Sequence, residues 1–190
     1  FSNLNFTASN GIVDSSAVIV NSIAFVAVQL LLDLYPNAAG AYSPRKLRTL
    51  YAGSAISVRN DFNVELDIGF DEFGNLDTVA LLLHTGTGDG FVVTWYDQSG
   101  SGNDVSQSSS SSQPKIVSGG VVETLNAKPS MLTNVSALLS AISTFTDSNG
   151  QLTIFSVSKP TIAGNGVLIG ARDDGTLLGN FPKITTSTTI

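Results

Sequence analysis

Hydrophobic positions in the middle of this chain alternate with period two. Val64, Leu66, Ile68 and Phe70 interleave with Glu65, Asp67 and Gly69, the pattern of a strand with one wet face, and residues 55–60 before it supply a hairpin partner. In residues 90–96, Phe91, Val93 and Trp95 point to one side and Val92, Thr94 and Tyr96 to the other. Both sides are largely apolar, which predicts a central strand. Shorter β-branched runs at 115–117, 121–124, 152–158 and 167–169 read as further strands, as do 17–20 and 23–28 near the start. Helical spacing appears twice. Ser43 and Pro44 open a predicted helix over 44–51 that Gly53 ends, and Asp77 caps a second over 78–84 with Val79, Leu82 and Leu83 turned inward. Residues 134–144 fit a helix, a strand or a loop, and no repeat of solenoid length is visible.

Between these elements the chain is punctuated by turn chemistry. The central strand drives into Asp97-Gln98-Ser99-Gly100-Ser101-Gly102-Asn103-Asp104, where Asp and Asn side chains can bond their own backbone and glycine supplies positive φ. Five consecutive serines at 108–112 bury no apolar surface and read as an exposed tip. Gly86-Thr87-Gly88-Asp89-Gly90 resembles a phosphate loop only superficially, because it precedes a strand and lacks the Lys-Ser/Thr ending, so it reads as a turn. Asp173-Asp174-Gly175 reads as a hairpin turn beside Arg172.

With 190 residues, 42% hydrophobic and 13% charged, the chain is long enough for one domain with a sizeable core, and its low charge suits an all-β, turn-rich protein better than a helical one. Net charge is −6, and nine carboxylates lie between Asp61 and Asp104 with no Lys or Arg among them. Nucleic acid is therefore not an expected partner, because a basic stripe is what releases counterions from phosphate. The cluster Arg45, Lys46 and Arg48 is expected to pair with acidic neighbours. There is no cysteine, so neither disulfides nor thiolate metal sites contribute. The apolar window at 12–35 is interrupted by Asp14, Asn21, Gln29 and Asp33, so membrane insertion is not expected, and no Lys or Arg precedes Arg45 as a signal peptide would require. The chain starts at Phe1, and is expected to be a piece or a processed form of a longer polypeptide. Residues 1–29 read either as a first strand pair or as an apolar arm that docks on a neighbouring subunit.

Candidate chemistry concentrates around the central strand. Tyr96, Asp97, Gln98, Asn103 and Asp104 combine an aromatic ring, carboxylates and carboxamides, the mixture that holds sugar hydroxyls and stacks a sugar face, and they are the candidate carbohydrate contacts. The competing reading is architectural: Asp97 and Asn103 hold the turn while Trp95 fills the core. Calcium is a further option at Asp97 and Asp104, although it would need about six to eight oxygens. His84 is the single histidine, which leaves a triad or multi-histidine metal site without partners, and its place at a helix end suits carbonyl capping. Glycoside hydrolysis needs two carboxyl groups about 5 to 9 Å apart. Asp97, Asp104, Glu123, Asp173 and Asp174 are candidates, but none forms a recognisable pair, so no catalytic residue, metal ligand or cofactor is assigned.

The segments Ala-Tyr-Ser-Pro-Arg-Lys-Leu-Arg (41–48), Ile-Ser-Val-Arg (56–59), Leu-Asp-Ile-Gly-Phe (66–70), Gly-Asp-Gly-Phe-Val (88–92), Trp-Tyr-Asp-Gln-Ser-Gly (95–100) and Gln-Pro-Lys-Ile-Val (113–117) together resemble the arabinofuranosidase-type, concanavalin A-like module. The resemblance spans roughly residues 30–130, and such modules recur in bacteriophage virion proteins as well as in secreted enzymes. It implies an all-β jelly-roll sandwich of two antiparallel sheets with two short helices over residues 30–190. The enzymes lean on disulfides and carry their catalytic carboxylates where this chain departs from them. Non-enzymatic structural or attachment work on a phage particle is thus the expected role, as capsid decoration, head fibre or tail component at the virion surface. Expected partners are other virion proteins and copies of the chain itself. An arabinofuranosidase-type glycoside hydrolase and a lectin-like module that binds host-surface glycans are the alternatives.

Overall fold

The computed structural model describes residues 29–133 and 153–159, together with the backbone of four two-residue strands further on. The described residues are mostly strands in antiparallel sheets with two helices, an all-β arrangement. Strand β1 (Ile56–Asn60) turns back into β2 (Glu65–Ile68). Helix α2 (Thr78–Thr85) follows a four-residue α1 (Leu31–Leu34) and leads into β3 (Gly90–Trp95), then β4 (Val105–Ser106), β5 (Lys115–Ser118) and β6 (Val121–Val122). These strands make one sheet in the order β2-β1-β3-β5-β6, with β4 also on β3. The tryptophan strand is therefore central, as expected, although only one of its faces is apolar.

Register sorts the side chains onto two faces. Ile56, Val58 and Asn60 stand opposite Trp95, Val92 and Gly90, and Ile56 also stands opposite Ile68. Helix α2 lies on that face, and the core is Ala55, Ile56, Val58, Ile68, Leu76, Leu81, Val92, Ile116 and Val117. Each such aliphatic side chain contributes about 1.5–3 kcal/mol by leaving water. The other face carries Ser57, Arg59, Glu65, Asp67, Thr94, Phe91 and Lys115, following the pairs Ser57–Asp67, Ser57–Thr94, Arg59–Phe91 and Phe91–Lys115. Register shifts between Ser57 and Val58 and between Gly90 and Phe91 leave Val93 without a partner on β1 and Ile116 without one on β3, so Phe91 and Trp95 stand on opposite faces and not on one side as the alternation predicts.

Several expectations are corrected. No helix forms over residues 44–51, because the backbone groups it would need are bonded sideways: Lys46 N–H to Gly74 O, Leu47 N–H to the Gln98 side chain, and Thr49 N–H to the Asp33 carboxylate. The first helix lies earlier, at α1, where Leu32 is buried and Asp33 reaches back to the Leu30 N–H. Helix α2 forms where expected, with Asp77 Oδ1 accepting the Ala80 N–H at 2.9 Å. Its inward residues differ, however. Leu81 and Thr85 are buried and Leu82 packs against the core as expected, while Val79 and Leu83 are exposed, since residues two apart on a helix lie on nearly opposite sides. In β2, Ile68 is buried but Val64 and Leu66 on the same side are exposed, because α2 covers that face at the Ile68 end. Residues 153–159 form no strand, and Phe155 and Val157 are exposed.

Other turns form as read. The serine tract is an exposed tip with one 3-10 turn at Ser110–Ser112. In the turn at residues 86–90, Gly88 N–H bonds Thr85 O and Asp89 N–H bonds Asp61. The run at 121–124 divides into β6 and β7 (Thr124–Leu125), which pairs with β8 (Lys128–Pro129) across Asn126 and Ala127, both at positive φ. Of the last strands, β9 (Gly166–Val167) pairs with β12 (Thr185–Thr186), and β10 (Arg172–Asp173) pairs antiparallel with β11 (Thr176–Leu177). The strands expected at 17–20 and 23–28, the segment 134–144, the turn residues 174–175 and all of the arm at 1–29 but Gln29 lie outside the described residues.

Candidate functional site

The turn after β3 and the stretch 39–48 bind each other through side chains that the sequence places far apart. Asp97 is the hub. Its Oδ1 accepts the N–H groups of Ala41 and Ser99, both at 2.8 Å, and its Oδ2 accepts the Ser99 hydroxyl at 2.6 Å and the Asn103 N–H at 3.1 Å. A carboxylate offers about four lone-pair positions, so this one is saturated by its own chain. Gln98 is fully buried. Its Oε1 accepts the Leu47 N–H at 2.7 Å, and its Nε2 donates to the carbonyls of Ser43 and Arg45 at 2.9 and 3.0 Å.

The other three candidate carbohydrate contacts are less enclosed. Asn103 donates its side-chain N–H to Ala39 O at 2.7 Å, and its own carbonyl accepts the Tyr42 hydroxyl. Asp104 Oδ1 accepts the Asp97 N–H at 2.8 Å, and its side chain is exposed. Tyr96 turns away from the loop onto the polar face of the sheet, where its hydroxyl donates to Asp67 Oδ1 at 2.8 Å. Burial, the bond to Asp67 and the negative charges there push its hydroxyl up to about 12. Tyr42 is likewise raised, by burial first and then by the charges of Asp97 and Asp104. The loop's base at residues 97–99 is buried, whereas its tip, Gly100–Gly102, and Asp104 are exposed. Trp95 packs half-buried on the core, with its ring 5.8 Å from that of Tyr42, and Nε1 has no partner among the described residues.

His84 bonds a carbonyl, though of β1 rather than of its own helix: Nε2 lies 3.0 Å from Val58 O, and Asn60 Nδ2 returns a bond to His84 O at 3.2 Å. Arg48 donates to Pro36 O at 3.2 Å, and the salt bridge formed among the described residues is elsewhere, between Lys115 and Asp89 at 2.6 Å. Among the described residues no three His, Asp or Glu side chains are grouped to hold a metal ion.

A second feature lies on the polar face of the sheet. Phe91, Ser110, Ser111, Gln113, Lys115 and Leu132 line an open pocket of about 490 Å³. Arg59 places its guanidinium carbon 4.6 Å from the Phe91 ring centre, and Lys115 Nζ lies 5.3 Å from it. Arg59 is held there by Gln113 Oε1 at 2.8 Å and Asn63 Oδ1 at 3.1 Å. Sequence reasoning missed this pocket. The segment 113–117 stood out as a fold motif, but the register of β3 with β1 and β5 is what gathers Arg59, Phe91 and Lys115.

No protein-family model matches the chain, and no curated protein does. A solved structure to which it is similar is that of an arabinofuranosidase complexed with arabinofuranosyl-α-1,2-xylobiose, 22% identical, with a TM-score of 0.38. The match covers 42% of this chain and spans 18% of that one, so this arabinofuranosidase is a weak structural neighbour and carries no argument about activity.

Proposed function

We propose that this chain is a non-enzymatic structural or attachment module of a bacteriophage particle, built on a concanavalin A-like jelly-roll. The observation that carries the non-enzymatic part is the state of Asp97. It is the most enclosed acid of the turn, and each of its oxygens already accepts two hydrogen bonds from the chain itself. A nucleophile or general acid must present an oxygen to substrate, and a sugar-binding carboxylate must present one to a hydroxyl. The acid-rich turn is, on this reading, a clasp between two distant segments. Exposed Leu50, Phe62, Phe73 and Leu83 add apolar surface suited to packing against neighbours. The phage assignment rests on the sequence resemblance of residues 30–130.

The test has two arms. Antibody against the chain is expected to label particles released on lysis of a culture carrying its coding sequence, and purified chain is expected to leave nitrophenyl arabinofuranoside and arabinoxylan intact. Hydrolysis of either substrate, or particles without the chain, overturns the proposal.

A further inference from the structure

The geometry points to the pocket on the polar face of the sheet as a binding site for an acidic saccharide, a sugar chain bearing carboxylates. This is a different place from the turn at residues 97–104, and it stands whether or not the chain belongs to a particle.

The pocket combines three properties that a charged sugar requires. Its volume of about 490 Å³ lies within the roughly 300–1,000 Å³ of small-molecule sites. Phe91 and Leu132 give it an apolar wall for the C–H face of a sugar ring, and Ser110 and Ser111 stand at the exposed rim with hydroxyls able to both donate and accept.

The third property is charge. Lys115 spends one bond on Asp89 and keeps two donor hydrogens. Arg59 is positioned by two amide oxygens and by Asn60 O, and forms no ion pair among the described residues although Glu65 is its partner across the β1–β2 ladder. Two cations thus flank one aromatic ring in a chain whose net charge is −6. Holding a cation over an aromatic face is favourable, and that contact keeps both heads beside the pocket. A carboxylate arriving there gains charge-assisted hydrogen bonds that a neutral sugar does not.

Calorimetric titration of the full chain tests this, with trigalacturonate as the acidic probe and galactotriose as the neutral one. Saturable binding of trigalacturonate is expected, at least about tenfold tighter than of galactotriose, the ratio set by one charge-assisted contact. Ser111→Phe fills the pocket from an exposed position, so it should abolish binding while leaving the thermal midpoint unchanged. Arg59→Gln should narrow the gap between the acidic and the neutral probe, leaving only what Lys115 supplies. Absence of saturable binding, equal affinity for the two trisaccharides, or undiminished binding in a folded Ser111→Phe chain overturns the proposal.

Discussion

Replacing Gln98 by Ala tests whether the turn at residues 97–104 is a clasp. The amide is fully buried and makes three side-chain bonds, to Leu47 N–H, Ser43 O and Arg45 O. At a net of about 0.5–1.5 kcal/mol each they amount to roughly 1.5–4.5 kcal/mol, and orphaning the Leu47 N–H adds a further penalty of about 1–3 kcal/mol where water cannot reach. Because such terms overlap, the expected loss is about 3–5 kcal/mol, a large fraction of the roughly 5–15 kcal/mol that holds a domain together. Gln98→Glu sharpens the test. It keeps an acceptor for Leu47 but turns a second oxygen towards the two carbonyls, so at neutral pH it should cost at least as much as alanine and recover partly in acid as the carboxyl gains a proton. Urea unfolding followed by tryptophan fluorescence measures both. A loss below about 1 kcal/mol for Gln98→Ala, against the bond energies above, or a Glu variant as stable as the parent at neutral pH, would refute the reasoning.

Three other outcomes follow from local geometry. Ala127 sits at φ 59° in the two-residue turn between β7 and β8, so Ala127→Gly should stabilise by about 0.5–1 kcal/mol, read from the urea midpoint. Asp33 and Asp89 have pKa values lowered by their bonds to Thr49 and Lys115; burial alone would raise Asp71, but bonds from Asn75, Phe73 and Gly74 outweigh it and lower it too. Folded-state values below the ordinary carboxylate range mean stability that is present above about pH 4 and lost as pH falls through those lower values. A urea midpoint that stays flat from about pH 5 to 2 would contradict this. Tyr96 moves the opposite way, from about 10 to about 12, so stability should be lost as pH climbs between those values. Tyr42 and Tyr51 are raised as well, so ultraviolet difference titration should show several late tyrosinates, of which Tyr96→Phe removes one; loss of an early one instead would contradict the assignment.

What the sequence determined here is local. Alternation in residues 64–70 and the β-branched and aromatic run at 90–96 are enough to mark strands, because such side chains suit a pleated backbone, although the register shift opposite Ser57 and Val58 decides which faces Phe91 and Trp95 take. Asp77 and the glycines at 86–90 and 100–102 fix a cap and turns for similarly local reasons. Residues 44–51 show the limit. Ser43 and Pro44 favour a helix, yet Gln98, some fifty residues on, Gly74 and Asp33 take its hydrogen-bonding groups, and the helix does not form. The inward side of α2 and the partial cover of β2 were likewise settled by which face met which, a matter of register and packing.

The candidate site divides the same way. The sequence singled out Tyr96, Asp97, Gln98, Asn103 and Asp104 as a polar constellation, but whether those groups face solvent or their own backbone depends on how 39–48 crosses them. The Arg59, Phe91 and Lys115 cluster had no signal in the sequence. Its members come from three strands, and only the ladder pairs Arg59–Phe91 and Phe91–Lys115 bring them together. Strand identity is written in neighbouring residues, whereas strand pairing is decided by the lowest free energy of the whole sheet.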